Sequence, residues 1–399
     1  MLTRVLPNLA LVVLGVVFAW GAGEVLVRFV IPTSTVRYHF DREVGYRLEP
    51  GGAFRWVGPD YDVRVTTNAA GFHDVEHARA KPAGTYRILV LGDSMVEALQ
   101  VPLEAQFPRL LEAAVGRWAR ERVEVVNFGV SGNGPAQYHR LLEQEAFAYE
   151  PDLVIVAVTL MNDFRNDVAA LERDPSKPYY RLAGDELVYV PPADSPASRG
   201  RQEKIRPAVW LKTMVKDSTF ARSFIDRIQK FRASHHVTAW GGDGKPATLP
   251  VTSDWNVFLA DPPRPWDEAY AVTLRLLAES ARLTRSRGAR FLLVLVPPKA
   301  VVEDNLDAAL RAEGYPEASH FTWDVERPTR AIDAMARAHD IPVLDLGPAL
   351  RADWAASHVS CSWAHDGHWS PRGHALAARE IDAYLRASAA AFGLDARTD

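Results

Sequence analysis

The chain has 399 residues, enough for one domain with insertions or for two domains. Apolar residues make up 48% of it and charged residues 24%, which is ordinary for a globular protein. The net charge of −4 excludes a strongly basic surface, so nucleic acid is not expected as a partner. The only cysteine, Cys361, excludes an internal disulfide and any zinc site built from several cysteines.

The first predicted element is an apolar helix near the N-terminus. Residues 5–23 carry no charge, and a helix of that length covers roughly 28 Å, close to the thickness of a bilayer's hydrocarbon core. We therefore predict a transmembrane anchor within residues 1–31, with a cleaved signal peptide as the alternative. Long C-terminal domains cross membranes largely regardless of flanking charges, so the rest of the chain is predicted to lie outside the cytoplasm.

Residues 32–85 are predicted to be a segment that packs on the domain following it. Its turn-rich stretches lie at 49–52 and 58–60, and the alternating residues 61–67 predict an edge strand.

From residue 86 onward, short apolar runs alternate with helical patterns. The predicted strands are 87–91, 123–128, 153–159, 290–296 and 342–346. The helical patterns lie near 104–120, 135–149, 267–287, 326–339 and 371–391. Five apolar strands alternating with helices imply an α/β domain over residues 86–392, built on a parallel sheet with both faces covered.

An insertion over residues 164–265 interrupts this alternation between strands 3 and 4. It begins with a predicted hairpin at 179–190 that turns at Gly184-Asp185, and a helix with an aromatic stripe follows near 210–232. Because the insertion starts at the carboxyl edge of the sheet, we expect it to shape a substrate site and to determine specificity.

Polar residues follow the ends of several predicted strands. Gly92-Asp-Ser94 ends the first strand, Asn127-Phe-Gly-Val-Ser-Gly132 the second, and Leu160-Met-Asn-Asp163 the third. Asp366-Gly-His368 comes shortly after the fifth strand. The carboxyl ends of parallel strands share one edge, so these side chains are predicted to converge there despite their separation in sequence.

Each of these residue types suits one role in acyl chemistry. The Ser94 hydroxyl is a candidate nucleophile, His368 a base near neutral pH, and Asp366 the carboxylate that holds the imidazole. The Ser94 backbone N–H, the backbone at Gly132 and the Asn162 side chain are candidate oxyanion donors. Simpler alternatives are a helix-start serine, a turn glycine and a strand-end cap; a metal site at Asp366 and His368 lacks further ligands at suitable spacing.

These blocks resemble the four signature blocks of SGNH (GDSL-type) hydrolases, in their usual order, and Gly373 matches the last block. The resemblance implies a flavodoxin-like three-layer α/β/α fold. It also implies Ser94 as nucleophile, His368 as base, Asp366 as its partner, and Gly132 and Asn162 in the oxyanion hole. It further implies an esterase or acyl transferase that needs no cofactor and no metal.

Two departures from the family pattern bear on function. Leu160 replaces the usual glycine of the third block, which is predicted to tighten the loop beside the substrate, and Asp366 stands two residues before His368 instead of three. Asp366-Gly-His-Trp369 is similar to the corresponding block of alginate O-acetyltransferase-type proteins.

The expectation is a bacterial inner-membrane protein with its catalytic domain in the periplasm. It would cleave or transfer an acyl group, with an ester or an acetylated carbohydrate as substrate. The alternative is a catalytically silent envelope-assembly or glycan-binding protein that keeps the fold.

Overall fold

The computed structural model describes residues 2–29, 34–192 and 248–397. In these ranges the strands are β1 (Tyr38–Asp41), β2 (Gly45–Leu48), β3 (Ala53–Val57), β4 (Asp62–Thr66), β5 (Thr85–Gly92), β6 (Arg122–Gly129), β7 (Leu153–Thr159), β8 (Tyr179–Ala183), β9 (Glu186–Val190), β10 (Arg290–Val296) and β11 (Val343–Asp345). The α-helices are α1 (Leu2–Phe29), α2 (Ser94–Glu97), α3 (Phe107–Val115), α4 (Pro135–Gln144), α5 (Asp163–Asn166), α6 (Ala169–Glu172), α7 (Pro265–Ser286), α8 (Lys299–Val302), α9 (Leu306–Ala312), α10 (Arg327–Ala338), α11 (Gly347–Ser357), α12 (Pro371–Ala387) and α13 (Ala389–Phe392). Short 3-10 helices lie at Leu103–Ala105, Ala146–Tyr149, Asp254–Phe258 and Ala318–His320.

The five predicted strands form one parallel sheet in the order β11–β10–β7–β5–β6. The predicted five-stranded parallel sheet is therefore confirmed, and its order is that of flavodoxin-like sheets. In register, Val90 of β5 lies between Asn127 of β6 and Ile155 of β7. The strand order reverses beside β5, which is where open α/β sheets bind ligands.

The sheet is buried on both faces, as its uninterrupted apolar strands require. All eight residues of β5 are buried. Leu89 and Leu91 pack in a core cluster with residues of α4 and α7, whereas Ile88 and Val90 pack in a second cluster with residues of α3 and α12. Successive strand residues point to opposite faces, so one strand contributes to both clusters and helices cover both sides.

The apolar N-terminal segment forms α1, a helix of 28 residues. Within the described ranges, no helix is long and apolar enough to cross a membrane. The transmembrane anchor expected at residues 1–31 is therefore not confirmed.

The segment at 32–85 holds two antiparallel hairpins, β1–β2 and β3–β4. The alternating residues 61–67 do form a strand, β4, but it pairs with β3 in this hairpin and joins no edge of the main sheet. The hairpin expected at 179–190 is present as β8–β9, with Gly184 in the left-handed region that its turn needs. The helix expected near 210–232 lies outside the described residues, and the predicted domain boundaries remain predictions.

Candidate active site

Ser94 lies where a buried strand turns directly into a helix. β5 ends at Gly92, and the Asp93 carboxylate accepts a hydrogen bond from the Met95 backbone N–H at 2.9 Å. This N-cap begins α2, whose first residue is Ser94. The cap fixes the backbone on both sides of the serine, so the hydroxyl is held at the carboxyl edge of the sheet.

His368 reaches Ser94 from the loop between α11 and α12. Its Nε2 lies 2.7 Å from Ser94 Oγ, and its Nδ1 contacts Asp366 Oδ1. With Nδ1 donating to the carboxylate, Nε2 accepts the hydrogen bond from the Ser94 hydroxyl. The His368 backbone N–H also donates to Asp366 Oδ1, at 3.0 Å, so the two-residue spacing folds the loop around its own carboxylate. The structure therefore brings the three residues predicted for catalysis into one hydrogen-bonded chain.

The charge states of Asp366 and His368 suit a base, His368, that is held by an ionised carboxylate, Asp366. Burial alone would raise the pKa of Asp366, but the hydrogen bonds and charge of His368, with the Tyr61 hydroxyl, lower it to about 2. Burial alone would lower the pKa of His368, but the hydrogen bond to Asp366 and its negative charge outweigh burial and raise that pKa. Asp366 is thus ionised at neutral pH and stabilises the imidazolium that forms when His368 takes a proton.

The two further residues predicted for the oxyanion hole lie after the strands that flank β5. Asn162 follows β7, and its side-chain Nδ2 donates to Asp93 Oδ2 at 2.9 Å. Gly132 follows β6 with φ of +74°, a conformation that L side chains rarely adopt. Lys177 Nζ donates to the Gly132 carbonyl, which holds this turn in place. The link between Asn162 and Ser94 runs through Asp93, the neighbour of the serine.

Glu97 ties the Gly132 turn to the helix that carries Ser94. Its Oε2 accepts from Tyr38 Oη at 2.9 Å and from Ser131 Oγ. Its Oε1 is buried and has no partner among the described residues. Burial raises the pKa of this carboxyl to about 7, against the hydrogen bonds from Ser131 and Tyr38, so near neutrality it carries a proton much of the time.

Three residues that the sequence did not single out for catalysis hold the loop of His368. Tyr61 Oη donates to Asp366 Oδ2 at 2.6 Å, and Asp60 accepts from the His365 backbone N–H at 2.7 Å. From the opposite flank, Lys299 Nζ donates to the Trp363 carbonyl at 2.9 Å. The only sequence signal at residues 58–60 is a local turn, and nothing in it indicates a partner some 300 residues away.

The last sequence block contributes packing as well as chemistry. Trp369 is 3% exposed and its ring lies against Phe107 and His374, so it is a core residue. A Cβ at Gly373 would lie 2.3 Å from the Cys361 carbonyl oxygen, which explains why this position holds glycine. His374 is buried, accepts from the Phe107 backbone N–H and is a structural residue. Among the described residues, no group of three or more His, Cys, Asp or Glu is placed to hold a metal ion.

The site geometry can be compared with known families. Residues 259–398, about a third of the chain and including Asp366 and His368, match a family model described as "SGNH hydrolase-like domain, acetyltransferase AlgX". This part of the chain is therefore similar to SGNH hydrolase-like domains. The resemblance predicted from the sequence blocks is thereby confirmed at the level of the family.

The similarity of the chain to individual proteins is more limited. It is 38% identical over 74 residues to an arylesterase from Vibrio mimicus, and the match spans 34% of that relative's length. Among solved structures, an acetyl xylan esterase, AlAXEase, is 13% identical with a TM-score of 0.39, over 75% of this chain and 99% of the other. A lipase/acylhydrolase from Enterococcus faecalis is 13% identical with a TM-score of 0.36, over 79% and 100%.

The structure also shows the surroundings of Leu160, the departure in the third sequence block. Leu160, which replaces the family's glycine, is 2% exposed and packs in the core cluster, and its N–H donates to the Val296 carbonyl at 3.0 Å. The backbone at Leu160 therefore joins the loop to the neighbouring strand β10, and its side chain packs in the core.

Proposed function

We propose that this protein is a serine-dependent acyl ester hydrolase or O-acetyltransferase that acts through a Ser94 acyl-enzyme. The observation that carries the proposal is the unbroken hydrogen-bond chain from Ser94 through His368 to Asp366 at the carboxyl edge of the sheet. A serine hydroxyl is a weak nucleophile until a base removes its proton, and here an imidazole is already bonded to it.

The proton steps follow from this chain. Ser94 Oγ attacks the carbonyl carbon of the ester while its proton moves to His368 Nε2, and the imidazolium is stabilised by Asp366. His368 then gives the proton to the departing alcohol oxygen as the C–O bond breaks, leaving the acyl group on Ser94. Water or a sugar hydroxyl, deprotonated by His368, then attacks the acyl carbonyl carbon. The bond between Ser94 Oγ and the acyl group breaks, His368 returns the proton to Ser94 Oγ, and the acid or the new ester is released.

Three donors are proposed to bind the oxyanion that forms during each attack. They are the backbone N–H of Ser94, the backbone N–H of Gly132 and Nδ2 of Asn162. The Asn162 amide is pre-oriented by its bond to Asp93, so it needs little reorganisation in the transition state.

The proposed acyl group is acetyl and the proposed substrate an acetylated carbohydrate. The description of the matched family as an acetyltransferase supports the first part, and so does the Asp-x-His-Trp block. Mass spectrometry of envelope glycans from a deletion strain separates the two reactions. Loss of acetyl groups indicates a transferase and gain indicates an esterase, whereas unchanged acetylation would contradict the carbohydrate substrate.

The catalytic step is tested with p-nitrophenyl acetate and purified full-length protein. Ser94→Ala is expected to lower kcat by about a thousandfold or more, because no other group can form the acyl-enzyme. A fluorophosphonate probe is expected to label the wild type but not this variant. Ser286→Ala, at an exposed hydroxyl at the end of α7, is the matched control. If Ser94→Ala were as active as the wild type, the proposal of a Ser94 acyl-enzyme would be contradicted.

We also propose that the domain works outside the cytoplasm, with the N-terminal segment as its export signal. The apolar side chains exposed on α1 support this, among them Leu11, Val12 and Phe18, at 68, 62 and 79% exposure. A C-terminal alkaline phosphatase fusion, active only after export, tests the location, and N-terminal sequencing of the mature protein shows whether the segment is removed. An inactive but stable fusion would contradict export.

A further inference from the structure

The turn between β3 and β4 reaches across the molecule to the loop that carries His368. Asp60 accepts two hydrogen bonds from His365, at 2.7 Å from the backbone N–H and 2.8 Å from Nδ1. Tyr61 donates to Asp366 Oδ2 at 2.6 Å, and its ring packs 5.8 Å from that of Trp363. This turn therefore contacts three positions of one loop.

The Tyr61 contact fixes the orientation of the Asp366 carboxylate. Oδ1 accepts both hydrogen bonds from His368, one from the backbone N–H and one from Nδ1. Oδ2 accepts from Tyr61. A carboxylate held through one oxygen can still rotate about its terminal bond, because that torsion is broad. Donors on both oxygens remove that freedom, so Oδ1 stays directed at the imidazole.

We propose that Tyr61 is a positioning residue for the acyl transfer, whose hydroxyl locks the Asp366 carboxylate in the orientation that holds His368 toward Ser94. The proposal rests on the proposed function of Ser94. It makes the hairpin before the sheet part of the catalytic apparatus. Among the described residues, the Tyr61 hydroxyl is bonded to Asp366 and not to Ser94 or His368, so its effect passes through Asp366.

The charged and titratable groups around His368 set its pKa, and with it the pH dependence of activity in which a loss of the Tyr61 hydroxyl would be seen. Asp366, Asp93 and Glu97 all raise the pKa of His368 by their charge, after burial has lowered it. His374 on α12 is kept neutral, since burial and the charge of His368 lower its pKa to about 3. Asp60, which is paired with His365, and Lys299, which donates to the Trp363 carbonyl, also lie against the loop that carries His368. Burial and Asp366 raise the pKa of Tyr61, so its hydroxyl remains a donor at neutral pH.

The test compares Tyr61→Phe with Tyr46→Phe in full-length protein hydrolysing p-nitrophenyl acetate. Tyr46 is an exposed tyrosine on β2 whose hydroxyl accepts a hydrogen bond from Ser176 Oγ at 2.6 Å, so it controls for loss of a tyrosine hydroxyl. Tyr61→Phe keeps the ring beside Trp363 and is expected to lower kcat about tenfold, with KM little changed. The acid limb of the pH profile of kcat/KM is expected to move to higher pH by about half a pH unit. The reason is that Asp366, without the hydrogen bond from Tyr61, stabilises the imidazolium of His368 more strongly.

A double-mutant cycle with Asp366→Asn makes the test specific. If Tyr61 acts through the carboxylate, Tyr61→Phe lowers kcat much less in the Asp366→Asn background than in the wild type. Unchanged kcat and an unchanged acid limb in Tyr61→Phe would overturn the inference. A fall in kcat with an unmoved limb and a lowered melting temperature would overturn it too, since that is a merely structural role. If Ser94→Ala is inactive while Tyr61→Phe behaves as wild type, the inference fails and the proposed function stands.

Discussion

Ser94 and His368 meet across 2.7 Å, yet the parts of the molecule behind them are built in different ways. Ser94 follows a fully buried strand and is fixed by Asp93, which is 1% exposed. His368 lies on a partly exposed loop held by side chains from other segments, chiefly Tyr61, Asp60 and Lys299. The nucleophile therefore depends on the core, and the base depends on polar contacts near the surface. Substitutions behind Ser94 should change stability, and those behind His368 should change activity.

The largest effect is expected from Asp93→Asn, on the nucleophile side. Asp93 accepts three hydrogen bonds, from Met95 N, Thr159 Oγ1 and Asn162 Nδ2, each at 2.9 Å. In the asparagine variant, one carboxylate oxygen is replaced by an NH2 group, which faces one of these donors and cannot accept its hydrogen bond. The free energy of unfolding should therefore fall by about 3–4 kcal/mol. Urea unfolding measures this, with the exposed Asp62→Asn as control. A loss below about 1 kcal/mol would show that Ser94 does not depend on buried bonds.

A somewhat smaller effect is expected from Glu97→Gln, and it depends on pH. Glu97 has a folded-state pKa raised from 4.5 to about 7, mainly by burial. Between pH 4.5 and about 7 the Glu97 carboxyl keeps its proton in the folded protein but releases it in the unfolded chain. Rising pH therefore lowers the stability that Glu97 contributes. The unfolding free energy of Glu97→Gln relative to wild type should therefore increase by about 3 kcal/mol from pH 4.5 to 7.

The measurement is urea unfolding of both proteins at several pH values across that window. Other buried acids cancel in the difference, because both proteins contain them. Glu380→Gln, at a surface carboxylate paired with Arg379, is the matched control. If the unfolding free energies of wild type and Glu97→Gln changed with pH in parallel, the Glu97 carboxyl would not be held in its neutral form.

The smallest effect is expected from Asp60→Asn, on the side of the base. Its partner His365 has a side chain that is 69% exposed, and exposed ion pairs contribute little. With the Tyr61 contact still present, kcat should fall only about twofold and the melting temperature should not change measurably. A loss of kcat as large as that of Tyr61→Phe would mean that the loop is anchored mainly through His365.

The contrast between the two sides also explains what could be predicted from the sequence. The strand before Ser94 is a short apolar run, and parallel topology gives it the same carboxyl edge as β11, the strand that precedes His368, so the approach of Ser94 and His368 was predictable. Asp93 lies in the same sequence block as Ser94, and it holds Asn162. These features depend on local patterns that repeat across α/β folds.

The contacts made by Tyr61 and Glu97 could not be predicted in the same way. Tyr61 and Asp366 are separated by 305 positions, and the local sequence of the turn shows only that a turn exists. Glu97 is charged by type but buried by tertiary packing, which no local pattern reveals. Leu160 was predicted to tighten the loop beside the substrate, but the sequence did not indicate its partners. Its side chain packs in the core cluster and its N–H donates to the Val296 carbonyl.

The long separation between Tyr61 and Asp366 has a consequence for the timing of biosynthesis. At common rates of translation, roughly 15 to 60 seconds pass between the appearance of two residues that are 305 positions apart. During that interval the hairpin of β3 and β4 is present without its partner loop. A nascent chain should thus acquire catalytic competence only after the segment before α12 has been made.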